Sequence, residues 1–331
     1  MMKLINVSVT IPIGDEFKQK ITALSSRIKL NDISELASAE QQGDSSRKEE
    51  MDAQLAEAEV IYGFGLPKDA VARAPGLKWV QVISAGVDSF LDDKLRESSV
   101  ILTNASGVHA NPISEFVIQL MLMFVKQAPL CFQLKQEKQW QRLSMTGLRS
   151  KTVGIVGLGH IGREIARLSK TFGMIVIATR RSAKRVSSAR YIDRLLPRNH
   201  LPQLLSDSDF VVLSLPLTPE TNNLIGEKEL RMMKPTAYLI NAARGNIIDE
   251  EALIQALEEN WIAGAGLDVF AIEPLPTHSK FWDLPNVILS PHASHVMPDD
   301  NTQATKIFYE NLKRYLNGKR LVNIVNKKKG Y

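Results

Sequence analysis

The feature that most constrains this chain is a short apolar segment, Thr152 to Val156, running into Gly157-Leu-Gly159-His160-Ile161-Gly162, with an apolar-periodic stretch continuing to Phe172. A G-x-G-x-x-G run alone means little. Between a strand and a helix it has a physical use. The first glycine permits a tight turn, the second lets the backbone approach a pyrophosphate, and the third packs helix against strand. The N–H groups at the helix start, those of His160 and Ile161 among them, together with the positive end of the helix dipole, suit phosphate. Gly157, Gly159, His160, Ile161 and Gly162 are therefore expected to hold a dinucleotide.

The next strand selects the dinucleotide. A site for NAD places Asp or Glu about 20 residues on, against the ribose 2′-hydroxyl. Here that position reads Ala178-Thr179-Arg180-Arg181-Ser182, with no carboxylate. Arg180 and Arg181 can clamp a 2′-phosphate, with the Thr179 and Ser182 hydroxyls nearby. NADP (NADPH) is the expected cofactor and NAD the weaker alternative. Lys184, Arg185, Arg190, Arg194 and Arg198 follow, opposed by Asp193 alone. Over the whole chain, 41 Lys and Arg against 36 Asp and Glu leave a formal charge of +5. Much of that excess then has a local purpose, and a nucleic-acid partner is not expected.

The same alternation runs on both sides of this loop. Downstream, Met174 to Ala178, Phe210 to Leu215, Ala237 to Asn241, Gly264 to Val269 and Val287 to Leu289 read as short strands, separated for the most part by helical stretches such as Glu250 to Leu257. That pattern predicts a parallel, doubly wound sheet. Upstream, Leu4 to Ile11, Val60 to Gly63, Trp79 to Ile83 and Val100 to Leu102 read as strands of a smaller α/β unit. Phe17, Ile21 and Leu24 have helical spacing, Arg47 to Ala58 a polar helical one, and Glu40 to Glu50 reads as a surface excursion. Asn111-Pro112 is expected to cap and open a helix buried nearly all round, and Asp299 to Tyr315 an amphipathic one.

With 331 residues, two domains are expected at about 150 residues each. Hydrophobic residues make up 44%, an ordinary globular share that argues against a disordered or membrane chain. The most apolar run, Phe116 to Val125, is short of the ~20 residues of a membrane span. The single cysteine, Cys131, forbids an intrachain disulfide and a multi-cysteine zinc site; it is expected to be buried or inert, and no metal is expected. With no signal-peptide layout, a cytoplasmic location is expected.

Three segments just after strands carry the chemistry. Asn241-Ala242-Ala243-Arg244-Gly follows one strand, Gly266-Leu-Asp268-Val-Phe-Ala-Ile-Glu273-Pro the next, and Ser290-Pro-His292 the last. An Arg can bind a substrate carboxylate, a His can exchange a proton with a carbonyl or hydroxyl, and an acid can orient that His. These segments resemble the D-2-hydroxyacid dehydrogenases, which include glyoxylate/hydroxypyruvate reductases and phosphoglycerate dehydrogenases. The likeness extends to Ser84-Ala-Gly-Val-Asp88, Asn104-Ala-Ser-Gly107, Ser206 to Thr221, Met233 to Asp249 and the ending Leu321 to Tyr331. It is vague before residue 60.

The resemblance implies that Arg244 binds the substrate carboxylate and carbonyl oxygen, His292 is the acid/base, and Glu273 pairs with it. It implies that Asp268 contacts the nicotinamide carboxamide, that Pro216, Thr221, Ala242, Ala243, Arg244 and His292 line the cofactor, and that N–H groups of Ala85, Gly86 and Val87 bind the substrate carboxylate. A homodimer is implied too. The expected architecture is α/β: a Rossmann doubly wound parallel sheet, 104–291, inserted into a smaller flavodoxin-like substrate domain of 1–103 and 292–331. The expected reaction is hydride transfer between NADP(H) and a small 2-oxo or D-2-hydroxy acid, in the direction of 2-oxo acid reduction. A non-catalytic nucleotide-sensing corepressor, a type this family also contains, is the alternative. Formate dehydrogenase is discounted because it carries Gln where this chain has Glu273. Two departures from the family pattern stand out: Ser150 where Gly is frequent, and His295 three residues after His292, where relatives often carry a small residue or Trp and where it either shapes the substrate pocket or sits at its rim. His109 is expected at the surface, with the interdomain cleft as the alternative.

Overall fold

The structure, a computed structural model, describes residues 3–297 and 300–331. The chain forms two compact units, Met1–Val108 with Met297–Tyr331, and His109–Val296. His292 therefore lies in the second unit and not with the C-terminal segment, because the backbone after the last strand is hydrogen-bonded to the strand beside it.

In the first unit the order is β1 (Ile5–Val9), α1 (Asp15–Ala23), β2 (Ile28–Asp32), α2 (Ser34–Gln41), α3 (Lys48–Ala56), β3 (Val60–Gly63), α4 (Ala70–Arg73), β4 (Trp79–Val82), α5 (Asp93–Glu97) and β5 (Ile101–Thr103). The strands pair in parallel as β2-β1-β3-β4-β5, the flavodoxin-like order. Four elements escaped the sequence pattern: β2, α2, and the short helices α4 and α5. Strand β2 is an edge strand reading Ile-Lys-Leu-Asn-Asp, whose Ile28 and Leu30 alternate with polar residues and are only partly buried, too short a run to stand out. Helix α2 occupies part of the polar stretch read as an excursion and buries only Leu36.

The chain returns to this unit at its end. Of the helix expected from Asp299, Asp299 itself lies outside the described residues, and α12 spans Asp300–Leu316. Its Phe308 stacks on Tyr62, with ring centroids 4.2 Å apart, and both rings join Trp79 and Leu312 in a buried cluster. Asn311 Nδ2 donates to Gln81 Oε1 (2.9 Å), and Thr103 Oγ1 donates to the same oxygen (2.8 Å). These bonds satisfy buried polar groups that would otherwise each cost about 1–3 kcal/mol.

The second unit begins with α6 (Ala110–Val125) and α7 (Ala128–Gln136). His109 and not Asn111 is the capping position of α6, so Pro112 falls inside the first turn, where its missing N–H leaves no bond unmade. Buried α6 residues on several faces join one cluster with Ile165, Ala166 and residues of the sheet that follows, which accounts for their uniform apolarity. Cys131 on α7 is half-buried at the periphery, not in the core. No single helix among the described residues is long and apolar enough to cross a membrane.

There follow β6 (Thr152–Val156), α8 (His160–Thr171), β7 (Ile175–Arg180), β8 (Ser187–Ala189), β9 (Ile192–Pro197), α9 (Leu201–Asp207), β10 (Phe210–Leu213), α10 (Glu227–Met232), β11 (Tyr238–Asn241), α11 (Glu250–Glu258), β12 (Gly264–Leu267) and β13 (Val287–Leu289). The sheet order is β13-β12-β11-β10-β6-β7-β9-β8, parallel throughout except for the β8–β9 hairpin. This is the doubly wound Rossmann arrangement, and its order reverses between β6 and β10, where such sheets bind ligands.

The β8–β9 hairpin was not legible in the sequence. Arg190, Arg194 and Arg198, read in sequence as part of a basic stretch at the cofactor strand, have structural partners. Arg194 pairs with Asp207 (2.8 Å), Arg198 donates to the Glu220 carbonyl (2.8 Å), and Arg190 lies over the Tyr191 ring. Asp193 accepts from the Val176 N–H (2.7 Å) and pairs with Lys170 (2.9 Å).

Ser150 has a left-handed backbone, φ +65°. That region costs a non-glycine residue about 1 kcal/mol or more, partly offset by the greater freedom glycine has when unfolded. Ser150→Gly is expected to raise stability by about 0.5–1 kcal/mol in chemical denaturation. A decrease would show that the strain is relieved by contacts of the serine side chain.

Candidate active site

The glycine loop lies at the switch point. Gly157 has φ +102°, and a Cβ there would meet the Ser214 carbonyl oxygen at 2.3 Å, so no larger residue fits the turn. A Cβ on Gly162 would meet the Gly157 carbonyl at 2.3 Å, which is the close helix–turn packing expected of the third glycine. Above Gly159 there is open space, and both Gly159 and His160 are exposed at the start of α8. A pyrophosphate fits such a cradle.

At the end of β7, Thr179 is buried, while Arg180, Arg181 and Ser182 are exposed. The groups presented outward after this strand are therefore two guanidiniums and one hydroxyl, with Arg181 close enough to Glu220 to help Arg198 hold that carboxyl below its ordinary range, after the hydrogen bonds of Thr218 and of its own backbone. The loop after β10 braces itself. Thr221 Oγ1 donates to the Pro216 carbonyl (2.7 Å) and accepts from the Thr218 N–H (2.8 Å).

The ends of β11, β12 and β13 are tied together by two buried side chains. Asn241 Nδ2 donates to the Arg244 carbonyl (2.9 Å), and Asn241 Oδ1 accepts from the Ala243 N–H (3.1 Å), which shapes the Ala242–Arg244 turn. Arg244 is half-buried and extended, and its Nη1 donates to the Ala243 carbonyl (2.7 Å). Gly245 follows because a Cβ there would strike the Phe270 carbonyl carbon at 1.9 Å.

Asp268 is wholly buried. Its backbone N–H donates to the Asn241 carbonyl (2.9 Å), and its own carbonyl accepts from the His292 N–H (2.8 Å). Its carboxylate accepts from the N–H groups of Ala293 (2.9 Å) and Ser294 (3.2 Å). The carboxylate that resemblance assigns to the nicotinamide carboxamide is thus engaged in holding the His292 loop. Held this way, His292 adopts a left-handed backbone with φ +53°.

Glu273 uses both oxygens. Oε1 accepts from the Phe270 N–H (2.9 Å), and Oε2 lies 2.8 Å from His292 Nδ1. A carboxylate is an acceptor, so Nδ1 carries the hydrogen of this bond and Nε2 takes no part in it. Sequence reasoning missed Glu250, whose carboxylate accepts from the Ala271 N–H (2.7 Å). Burial raises its carboxyl above the ordinary range against that bond, and the nearby Glu273 adds to the rise.

In the first unit, Ala85, Gly86 and Val87 follow β4. Ser84 Oγ donates to the Gly86 carbonyl (2.7 Å) and Asn104 Nδ2 to the Ala85 carbonyl (2.6 Å). Among the described residues the three N–H groups donate to no acceptor. A run of such N–H groups suits an anion.

The family model described as "D-isomer specific 2-hydroxyacid dehydrogenase, NAD binding domain" matches residues 118–294. A glyoxylate/hydroxypyruvate reductase B of Pectobacterium carotovorum is 37% identical over 284 residues, covering 82% of this chain and 87% of that protein. A glyoxylate reductase of Thermococcus gammatolerans is 36% identical over 264 residues, covering 77% and 78%. The solved structure of an NADPH-dependent glyoxylate/hydroxypyruvate reductase of Sinorhizobium meliloti, in complex with NADP and sulfate, superimposes with a TM-score of 0.83 at 27% identity, covering 99% of this chain and 100% of that one.

The Asp268 clamp can be tested without any ligand. Asp268→Asn turns an amide toward N–H donors and is expected to lower folding stability by about 1–3 kcal/mol, measured by chemical denaturation. An unchanged midpoint would mean that the loop N–H groups find other acceptors.

Proposed function

The chain belongs to the D-isomer-specific 2-hydroxyacid dehydrogenase family, and from that premise we propose that it reduces a small 2-oxo acid with NADPH. The observation that carries this reading is the Glu273–His292 pair, 2.8 Å apart, on strand-end loops of the sheet whose switch point bears the glycine loop. A bound nicotinamide supplies the hydride for C2; Gly157, Gly159, Gly162 and the start of α8 would hold its pyrophosphate. The remaining work belongs to this chain's side chains. Arg244 binds the carboxylate and faces the carbonyl oxygen, where preorganised positive charge stabilises developing negative charge. His292 donates the Nε2 proton to that oxygen, and Glu273 keeps the ring oriented through the bond at Nδ1.

The test is NADPH oxidation with glyoxylate and hydroxypyruvate. Turnover is expected for the wild type, and His292→Ala is expected to lower kcat by about 10²–10⁴-fold with NADPH affinity nearly intact. Arg244→Ala is expected to raise KM and lower kcat together. NADPH binding without turnover of any 2-oxo acid would favour the nucleotide-sensing alternative.

For the cofactor, Arg180 and Arg181 support NADPH over NADH. Each charge-assisted bond to the 2′-phosphate contributes roughly 1.5–3 kcal/mol, or about tenfold to a hundredfold in affinity. Replacing both arginines by alanine is expected to weaken NADPH sharply and leave NADH nearly unchanged, with the wild-type preference shrinking as salt rises. A wild-type preference for NADH in kcat/KM at low ionic strength would overturn this assignment.

A further inference from the structure

His292 does not stand alone on its loop. The ring of His295, three residues on, lies edge-on to it, with centroids 5.5 Å apart and planes at 72°. On His295 a third imidazole rests: His109, at the start of α6, is 5.1 Å away, again at 72°. All three rings belong to the second unit, and none is fully buried. His109 is therefore not the surface residue expected from sequence but one end of a row of imidazoles whose other end is held by Glu273. Edge-to-face contacts of this kind give a ring a preferred orientation.

The row bears on which substrate the site prefers, granted the 2-oxo acid reading above, on which this inference rests. The substrate carbonyl oxygen must come within hydrogen-bond distance of His292 Nε2. C3 of a 2-oxo acid then lies within roughly 5 Å of that nitrogen, since only two bonds separate C3 from the carbonyl oxygen. A substituent on C3 falls within reach of a ring centred 5.5 Å from that of His292. An imidazole can donate or accept a hydrogen bond there, which an apolar or small residue cannot.

We propose that His295 is a specificity-determining residue that hydrogen-bonds a polar substituent on C3 of the 2-oxo acid, and that His109 is a positioning residue that sets the His295 ring. A site built to hydrogen-bond a hydroxyl discriminates against the analogue lacking it. The wild type therefore favours hydroxypyruvate over pyruvate, its counterpart without the hydroxyl.

The experiment compares kcat/KM for hydroxypyruvate and pyruvate, with NADPH, in the wild type and in His295→Ala, His295→Phe, His295→Gln and His109→Ala. The readout is the ratio of the two values within each protein, which a general loss of activity leaves unmoved. The ratio is expected to fall about tenfold in both the Ala and the Phe variants, as for one lost hydrogen bond. His295→Gln, which keeps a hydrogen-bonding side chain, retains most of it, and His109→Ala lowers it by a smaller factor. His295→Phe preserves an aromatic ring against both neighbours, and NADPH binding followed by fluorescence confirms that each variant is folded. A wild-type ratio near one, or a ratio that His295→Phe leaves unchanged, overturns the proposal while the reductase reading stands. A wild type that reduces no 2-oxo acid at all overturns the reductase reading and this inference with it.

Discussion

The buried carboxylate of Asp268 is the constraint on which the site depends. A carboxylate taken out of water is tolerated only when its oxygens are hydrogen-bonded, and the acceptors it offers are met by the N–H groups of Ala293 and Ser294. Its backbone meets Asn241 on one side and His292 on the other. Through these bonds the ends of β11, β12 and β13 become one rigid platform, and a histidine can occupy a left-handed backbone that it would rarely adopt in an unconstrained loop.

The parallel sheet makes such a platform possible. When every strand runs the same way, all the following loops gather at one edge, and residues far apart in sequence are presented together. Arg244, Glu273 and His292 each follow a different strand, and the glycine loop follows a fourth. The loops are braced by their own polar atoms: Asn241 shapes the Arg244 turn, Glu273 bonds the Phe270 N–H, and Thr221 ties its loop to Pro216. Side chains preorganised in this way need little rearrangement when charge develops on a substrate.

Positive charge is divided between two tasks. Arg194 and Arg198 support the β8–β9 hairpin and its neighbours, whereas Arg180 and Arg181 project from the end of β7. In sequence the two pairs look alike, as members of one basic stretch. They separate only when Asp207 and the Glu220 carbonyl, both distant along the chain, are brought alongside.

What the sequence determined by itself was local in its physics. A turn between strand and helix with no room for a Cβ must carry glycine at 157 and 162, and a buried strand must be a short apolar run, so the phosphate loop and most of the strands could be read directly. The residue types after the strands, and their likeness to a known family, pointed to Arg244, Glu273 and His292. Strand β2 was illegible because its two apolar positions form a short run that is only partly buried, and the β8–β9 hairpin because exposed β8 is polar and β9 sets Asp193 and Arg194 among its buried residues. The tertiary structure alone decided that Asp268 clamps the His292 loop, that Arg194 pairs with Asp207, and that His109 meets His295. Each of these joins groups that are separated along the chain, and their meeting depends on sheet register and helix placement, which composition and spacing do not encode.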